Sequence, residues 1–165
     1  MANAIPIPFF RGAGVAAPEL GIIVVDHGSR RDESNRKLLE FVEMFRGIAP
    51  CRIVEPAHME LASPSIAEAF DRCVERGATR VVVSPFFLLP GRHWQQDIPQ
   101  LAAAAAARHS GVEYLVAAPL GLHPLLAQAL NDRIHQCLEH ATGHRDSCDL
   151  CAGTDACQLR GNGGQ

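Results

Sequence analysis

Residues 21–35, GIIVVDHGSRRDESN, run from an apolar segment into a histidine, a small-residue turn, two arginines and a cluster of carboxylates and amides. The segment GIIVVD (21–26) is too short for a helix and apolar almost throughout. That is the pattern of a parallel strand buried on both faces. Asp32 or Ser34 is then placed to cap a helix whose apolar face is Leu38, Leu39, Val42, Phe45 and Ile48. Strand, turn and amphipathic helix make one βα unit.

The unit repeats along the chain. CRIVEPA (51–57) reads as a weaker strand, followed by Ser63 and Pro64 as N-cap and first helical residue, a stripe of Ile66, Ala67, Phe70 and Val74, and Gly77 as the stop. TRVVVSPFFLL (79–89) is the strongest strand. A glycine loop then leads to Asp97, placed to cap a helix that carries Ile98, Pro99 and the alanines 102–107 and ends at Gly111. VEYLVAAP (112–119) gives a fourth strand, and Pro124 opens a helix whose stripe Leu126, Leu130, Ile134, Cys137 and Leu138 is expected to face the sheet. Such a succession calls for an α/β fold: an open, flavodoxin-like parallel sheet with right-handed crossovers and strands near 21–26, 51–56, 80–86 and 113–118.

Composition bounds the rest. A chain of 165 residues, 47% hydrophobic and 20% charged, can bury one sizeable core. No apolar run approaches the ~20 residues needed to cross a bilayer, so no membrane span is expected. The formal charge of −3 offers no overall basic field for nucleic acid, which leaves local clusters such as Arg30, Arg31, Arg36 and Lys37 to attract anions. The first nineteen residues contain one arginine and no acid before Glu19, and prolines interrupt their only apolar part. That excludes a secretory signal and fits either a plain flexible leader or the remnant of an organelle transit peptide.

In an open parallel sheet, function belongs at the carboxyl ends of the strands. Those ends carry His27, His58 with Glu60, His93 and His123. His27, Glu60 and His93 stand at equal intervals of 33 residues, one βα unit each, so imidazole, carboxylate and imidazole can converge from three successive strand ends. Two imidazoles and a carboxylate suit a borderline divalent ion such as iron, cobalt, nickel or zinc, with positions left open for a substrate. His58 and His123 are expected to support this set from behind. A glycine between a strand and a helix can cradle anions, but DHGSRR matches neither a P-loop nor a dinucleotide fingerprint, which argues against a phosphate-binding module.

Cys51, Cys73 and Cys137 are scattered through apolar patterns, whereas Cys148, Cys151 and Cys157 crowd into ten residues of a polar tail. The second group reads as a ligand set, with Cys137 either its fourth member or a buried thiol. Spacing does not choose between zinc and an iron–sulfur cluster, because both accept four thiolates.

VVDHGSRRDESN, EPAHMELASPSIAEAF, RVVVSPFFLLPGRHWQQDIP, YLVAAPLGLHPLL and CDLCAGTDACQL together closely resemble the sirohydrochlorin ferrochelatases of plants and algae, short class II chelatases related to the anaerobic cobaltochelatases. The resemblance covers roughly residues 20–160. It implies insertion of Fe²⁺ into the tetrapyrrole sirohydrochlorin to give sirohaem, with the metal held between His27 and His93 and with Glu60 orienting one of them or relaying protons. Cobalt or nickel insertion, or non-catalytic metal carriage, are the alternatives. Ser29 lets the loop turn, while Arg30, Arg31 and Arg92 are expected to meet the peripheral carboxylates of the macrocycle as guanidinium forks. The resemblance further implies a 2Fe-2S cluster on Cys148, Cys151, Cys157 and Cys137, a homodimer that rebuilds the two-lobed cleft of longer relatives, and the chloroplast stroma as location, with the cytoplasm as alternative. The expected layout is a leader over 1–19, a chelatase domain over 20–140 and a cysteine-rich tail over 141–165.

Overall fold

The computed structural model describes residues 19–151. It forms two compact units, one ending at Gly121 and the other beginning at Leu122. In the first, β1 (Leu20–Asp26), β2 (Ile53–His58), β3 (Arg80–Pro85) and β4 (Glu113–Val116) build a single sheet in the order β2-β1-β3-β4. Every pairing is parallel, with Gly21 beside Ile53, Asp26 beside His58, and Val25 beside Pro85. This is the order of a flavodoxin-like sheet, with β1 and β3 as its centre.

Helices α1 (Asp32–Arg46), α2 (Ile66–Glu75) and α3 (Ile98–Ala106) connect the strands. Alternate residues of β1 feed two separate cores, as a strand buried on both faces requires. Ile23 and Val25 pack with Ile66, Phe70 and Cys73 of α2 and with Ile98 and Ala102 of α3. Ile22 and Val24 pack with Leu38 and Val42 of α1. Fully burying a side chain such as Phe70 or Ile23 contributes about 1.5–3 kcal/mol.

The helix starts differ from the sequence expectation. The N-cap of α1 is Arg31, which makes no side-chain cap; Asp32 and Glu33 lie in the first turn, where their charge meets the positive end of the helix dipole. The cap of α2 is Ser65 rather than Ser63. Its hydroxyl accepts the Glu68 N–H while the Glu68 carboxylate accepts the Ser65 N–H, a reciprocal box that needs an acceptor side chain such as glutamate three residues on. The buried face of α2 is accordingly Ile66, Ala69, Phe70 and Cys73.

In the second unit, α4 (Pro124–Ala141) begins at its proline as expected, with His123 as N-cap accepting the Leu125 N–H. No residue of α4 is buried, and Leu130, Ile134 and Leu138 of the anticipated stripe are exposed. No helix among the described residues is long and apolar enough to cross a membrane.

Candidate functional site

The β1–β2 ladder does not stop with the strands. The Met59 N–H donates to the Asp26 carbonyl at 2.8 Å and the Glu60 N–H to the His27 carbonyl at 3.1 Å, so the two loops stay paired for two further residues. Gly28 makes this approach possible: its φ is +85°, and a Cβ there would sit 2.0 Å from the Glu60 carbonyl oxygen. The consequence is a fixed neighbour for His27, whose Nε2 lies 2.9 Å from Oε1 of Glu60. Its Nδ1 lies 3.2 Å from the Gly28 carbonyl, so both ring nitrogens face acceptors.

His93 reaches the same place from β3. It opens a π-helical turn over His93–Asp97 that runs directly into α3, a local widening of the helix of the kind found at functional sites. Trp94 pins this turn by donating its indole N–H to the Ala117 carbonyl at 2.9 Å, just beyond β4. The rings of His27 and His93 then meet edge to face with centroids 5.2 Å apart. Behind His93, Nδ1 lies 2.8 Å from Oδ2 of Asp97, and the Phe87 ring stacks at 6.3 Å. A proton on Nδ1 donated to that carboxylate leaves the Nε2 lone pair of His93 for a cation.

Sequence reasoning thus anticipated His27, Glu60 and His93, and the structure brings all three to one rim. It missed Asp97, read as a helix cap; the residue makes no cap bond and turns its carboxylate to His93 instead. The signal was present in the four-residue His–Asp spacing, which puts both groups on one helical face. His58 is more deeply placed than expected: it is fully buried, and its Nδ1 lies 2.6 Å from Oδ1 of Asp26, which also accepts the Gly28 N–H at 2.9 Å. His58 and Asp26 therefore brace the loop that carries His27.

A cleft of about 520 Å³ opens beside His93, lined by Met59, Glu60, Arg92, Asp97, Gln100 and Leu101. Arg92 is largely exposed at its edge, 4.0 Å from Asp97. The side chains of His27 and His93 are 43% and 45% exposed, so both are reachable from solvent. Arg30 and Arg31 are exposed on the loop after His27, and the Ser29 N–H is held by the Asn35 side chain at 2.9 Å.

The cysteines are arranged less tightly. Cys148 is buried, Cys137 and Cys151 are half-buried, and Cys157 lies outside the described residues. The backbone N–H groups of Leu150 and Cys151 hold the Cys148 thiol below its ordinary value. Arg133, bonded to Asp149 at 2.5 Å, lies 4.0 Å from its sulfur. Among the described residues no group of three or more histidines, cysteines or acids is placed so as to hold a metal ion, neither at the cysteines nor as His27, Glu60 and His93 together.

Sheet order, crossovers and rim together define a flavodoxin-like α/β protein with a paired-imidazole site open to solvent. The CbiX family profile matches residues 21–137, and the chain belongs to the CbiX family. It is 62% identical over 139 residues to the chloroplastic sirohydrochlorin ferrochelatase of Arabidopsis thaliana, covering 84% of this chain and 62% of that protein. It is 33% identical over 132 residues to the sirohydrochlorin ferrochelatase of Priestia megaterium, covering 80% of this chain and 49% of that one. Among solved structures, SirB from Bacillus subtilis in complex with cobalt superposes with a TM-score of 0.68 at 30% identity, over 72% of this chain and 50% of that one. The CbiX protein from Marinobacter aquaeolei matches with a TM-score of 0.63 at 30% identity, over 73% of this chain and 98% of that one. The chain thus spans less than two thirds of the length of these two ferrochelatase relatives.

Proposed function

We propose that the protein is a sirohydrochlorin ferrochelatase, inserting Fe²⁺ into the macrocycle to give sirohaem. The observation that carries this reading is the opposition of His27 and His93 at one rim, each backed by a carboxylate. Sequence kinship with proteins named as sirohydrochlorin chelatases supplies the substrate.

Insertion exchanges one divalent cation for two pyrrole N–H protons, so the site must anchor the metal and accept protons beside it. His27 and His93 anchor the incoming ion through ring nitrogens. Glu60 lies within hydrogen-bond reach of His27, where it takes the proton that His27 gives up on binding the metal and passes on those released by the macrocycle. Asp97 orients His93 and fixes which of its ring nitrogens faces the cleft. Arg92 at the edge of the cleft meets a peripheral carboxylate, with Ser29, Arg30 and Arg31 serving the same end on the His27 loop. Cobalt is the second reading for the metal, favoured by kinship with a sirohydrochlorin cobaltochelatase of Priestia megaterium at 27% identity over 135 residues.

The proposal extends to a homodimer, to the chloroplast stroma, and to a 2Fe-2S cluster on Cys148, Cys151, Cys157 and Cys137. The depressed Cys148 thiol is the chemistry a cluster ligand needs. When bound, the cluster supplies a one-electron redox centre. Anaerobically purified protein is expected to be brown, and Cys148→Ser with Cys151→Ser to be colourless; colourless parent protein with stoichiometric zinc would replace iron–sulfur by zinc.

Mixing the protein with sirohydrochlorin and Fe²⁺ or Co²⁺ should produce the metallated absorption spectrum faster than buffer does. Metal binding without acceleration would identify a carrier instead.

A further inference from the structure

On the α1 side of the His27 loop, the first turns of α1 and the loop after β2 enclose a second pocket of about 340 Å³. It shares no lining residue with the cleft at His93. The paired backbones of 26–28 and 58–60 form the wall between them. Ser29, Arg30, Asp32, Arg36, His58 and Ser63 line it.

His58 is the informative member. It is completely buried, its Nδ1 is engaged by Asp26, and its Nε2 has no hydrogen-bond partner. An orphaned buried nitrogen costs free energy that a bound group or an ordered water recovers. The arginines point the same way. Arg46, Arg76, Arg80, Arg108 and Arg133 each hold a carboxylate, whereas Arg30 and Arg36, like Arg31, Arg52 and Arg72, form no ion pair among the described residues; of these five only Arg30 and Arg36 line the pocket. The Ser29 backbone is clamped at both ends by Asn35, through N–H to Oδ1 at 2.9 Å and Nδ2 to the carbonyl at 2.8 Å. Its Oγ accepts the Arg31 N–H at 3.1 Å, which leaves the hydroxyl proton to donate. The Asp32 carboxylate supplies the one negative charge in the lining.

We infer that this pocket is an oxyanion subsite, taking one carboxylate or phosphate group on the guanidinium groups of Arg30 and Arg36 and the Ser29 hydroxyl, with His58 Nε2 meeting the occupant directly or through a water. If the proposed chelatase function holds, the occupant is a peripheral carboxylate of the macrocycle. Ser29 follows His27 by two residues, at most ~7 Å along the chain, so a substituent of a ring centred at the histidine rim reaches over the loop. A free phosphate would use the same chemistry.

The test uses full-length protein carrying Arg36→Gln, with Arg36→Lys as partial rescue and Arg52→Gln as a control for general surface charge. Arg36 is exposed and its side chain forms no ion pair among the described residues, so its replacement leaves the fold in place. Calorimetric titration with inorganic phosphate reads the pocket independently of any chelatase activity, and steady-state kinetics read the KM for sirohydrochlorin. A substrate subsite predicts about a tenfold rise in KM at unchanged kcat for Arg36→Gln, partial recovery with Arg36→Lys, and parental values for Arg52→Gln. Phosphate binding that depends on Arg36 while KM does not would keep the subsite and assign it a free oxyanion. Neither phosphate binding nor KM depending on Arg36 would overturn the inference, whether or not the protein proves to be a chelatase.

Discussion

Nδ1 of His93 lies 2.8 Å from Oδ2 of Asp97, one turn further along the π-helical segment that launches α3. The bond fixes which ring nitrogen faces the cleft and keeps a negative charge behind the imidazole. Asp97→Asn retains the shape but loses the charge, and the amide can present either end to the ring. A tenfold to hundredfold loss in metal affinity, the usual effect of removing such a partner, is expected in metal-limited insertion assays with an unchanged circular dichroism spectrum. Wild-type metal dependence would show that Asp97 does not act through His93.

Gly28 is the least replaceable backbone position of the rim. An alanine there adds the ~1–2 kcal/mol cost of a left-handed conformation to a Cβ only 2.0 Å from the Glu60 carbonyl oxygen. Either the His27 loop or the Glu60 loop must move. Gly28→Ala should lower the thermal unfolding midpoint by several degrees and separate His27 from Glu60, with insertion lost in the molecules that remain folded.

Ser65→Ala offers a contrast. It removes half of a capping box whose hydroxyl bonds the start of α2, while the backbone of Ser65 that lies beside His58 is kept, so about 1 kcal/mol of stability is expected to go while the insertion rate per folded molecule stays the same. Paired thermal melts and rate measurements check both halves.

Burial pushes the Cys73 thiol up to about 12, with the nearby Glu55 carboxylate adding to the effect. The unfolded thiol ionises near 9. Above that value the unfolded state gives up a proton that the folded state retains, so this contribution is complete below about 9 and fades as pH rises towards about 12. Cys73→Ala should therefore flatten the fall of stability with pH across that window, measured by denaturant unfolding at a series of alkaline pH values. An unchanged slope would exclude Cys73 as its source.

The sequence revealed the fold because the signals there are periodic. Strands such as GIIVVD are apolar on both faces, and each is followed by an amphipathic helix, which leaves a parallel α/β sheet as the arrangement that buries them. The three rim residues followed from that periodicity, since one βα unit of 33 residues separates His27 from Glu60 and Glu60 from His93. What escaped was local. Ser63, Pro64 and Ser65 form two overlapping cap patterns, and Glu68 at the third position decides for Ser65. Asp97 before Ile98-Pro99 has the sequence of a cap, yet the π-helical turn carries the helix back to His93 and frees the carboxylate. The burial of His58 depends on its register beside Asp26, a pairing between strands that no single stretch of sequence displays.

The facing pair of His27 and His93 is tested most directly by the initial rate of Fe²⁺ or Co²⁺ insertion into sirohydrochlorin, followed by absorption, in the parent protein and in His27→Ala and His93→Ala. Both side chains are nearly half exposed and outside the two cores, so neither replacement should disturb folding. The expected result is a parent rate well above buffer and near-complete loss in each variant, with unchanged circular dichroism and thermal midpoint. A folded His93→Ala protein that inserts metal at the parental rate would contradict the assignment of this rim as the place where metal meets macrocycle.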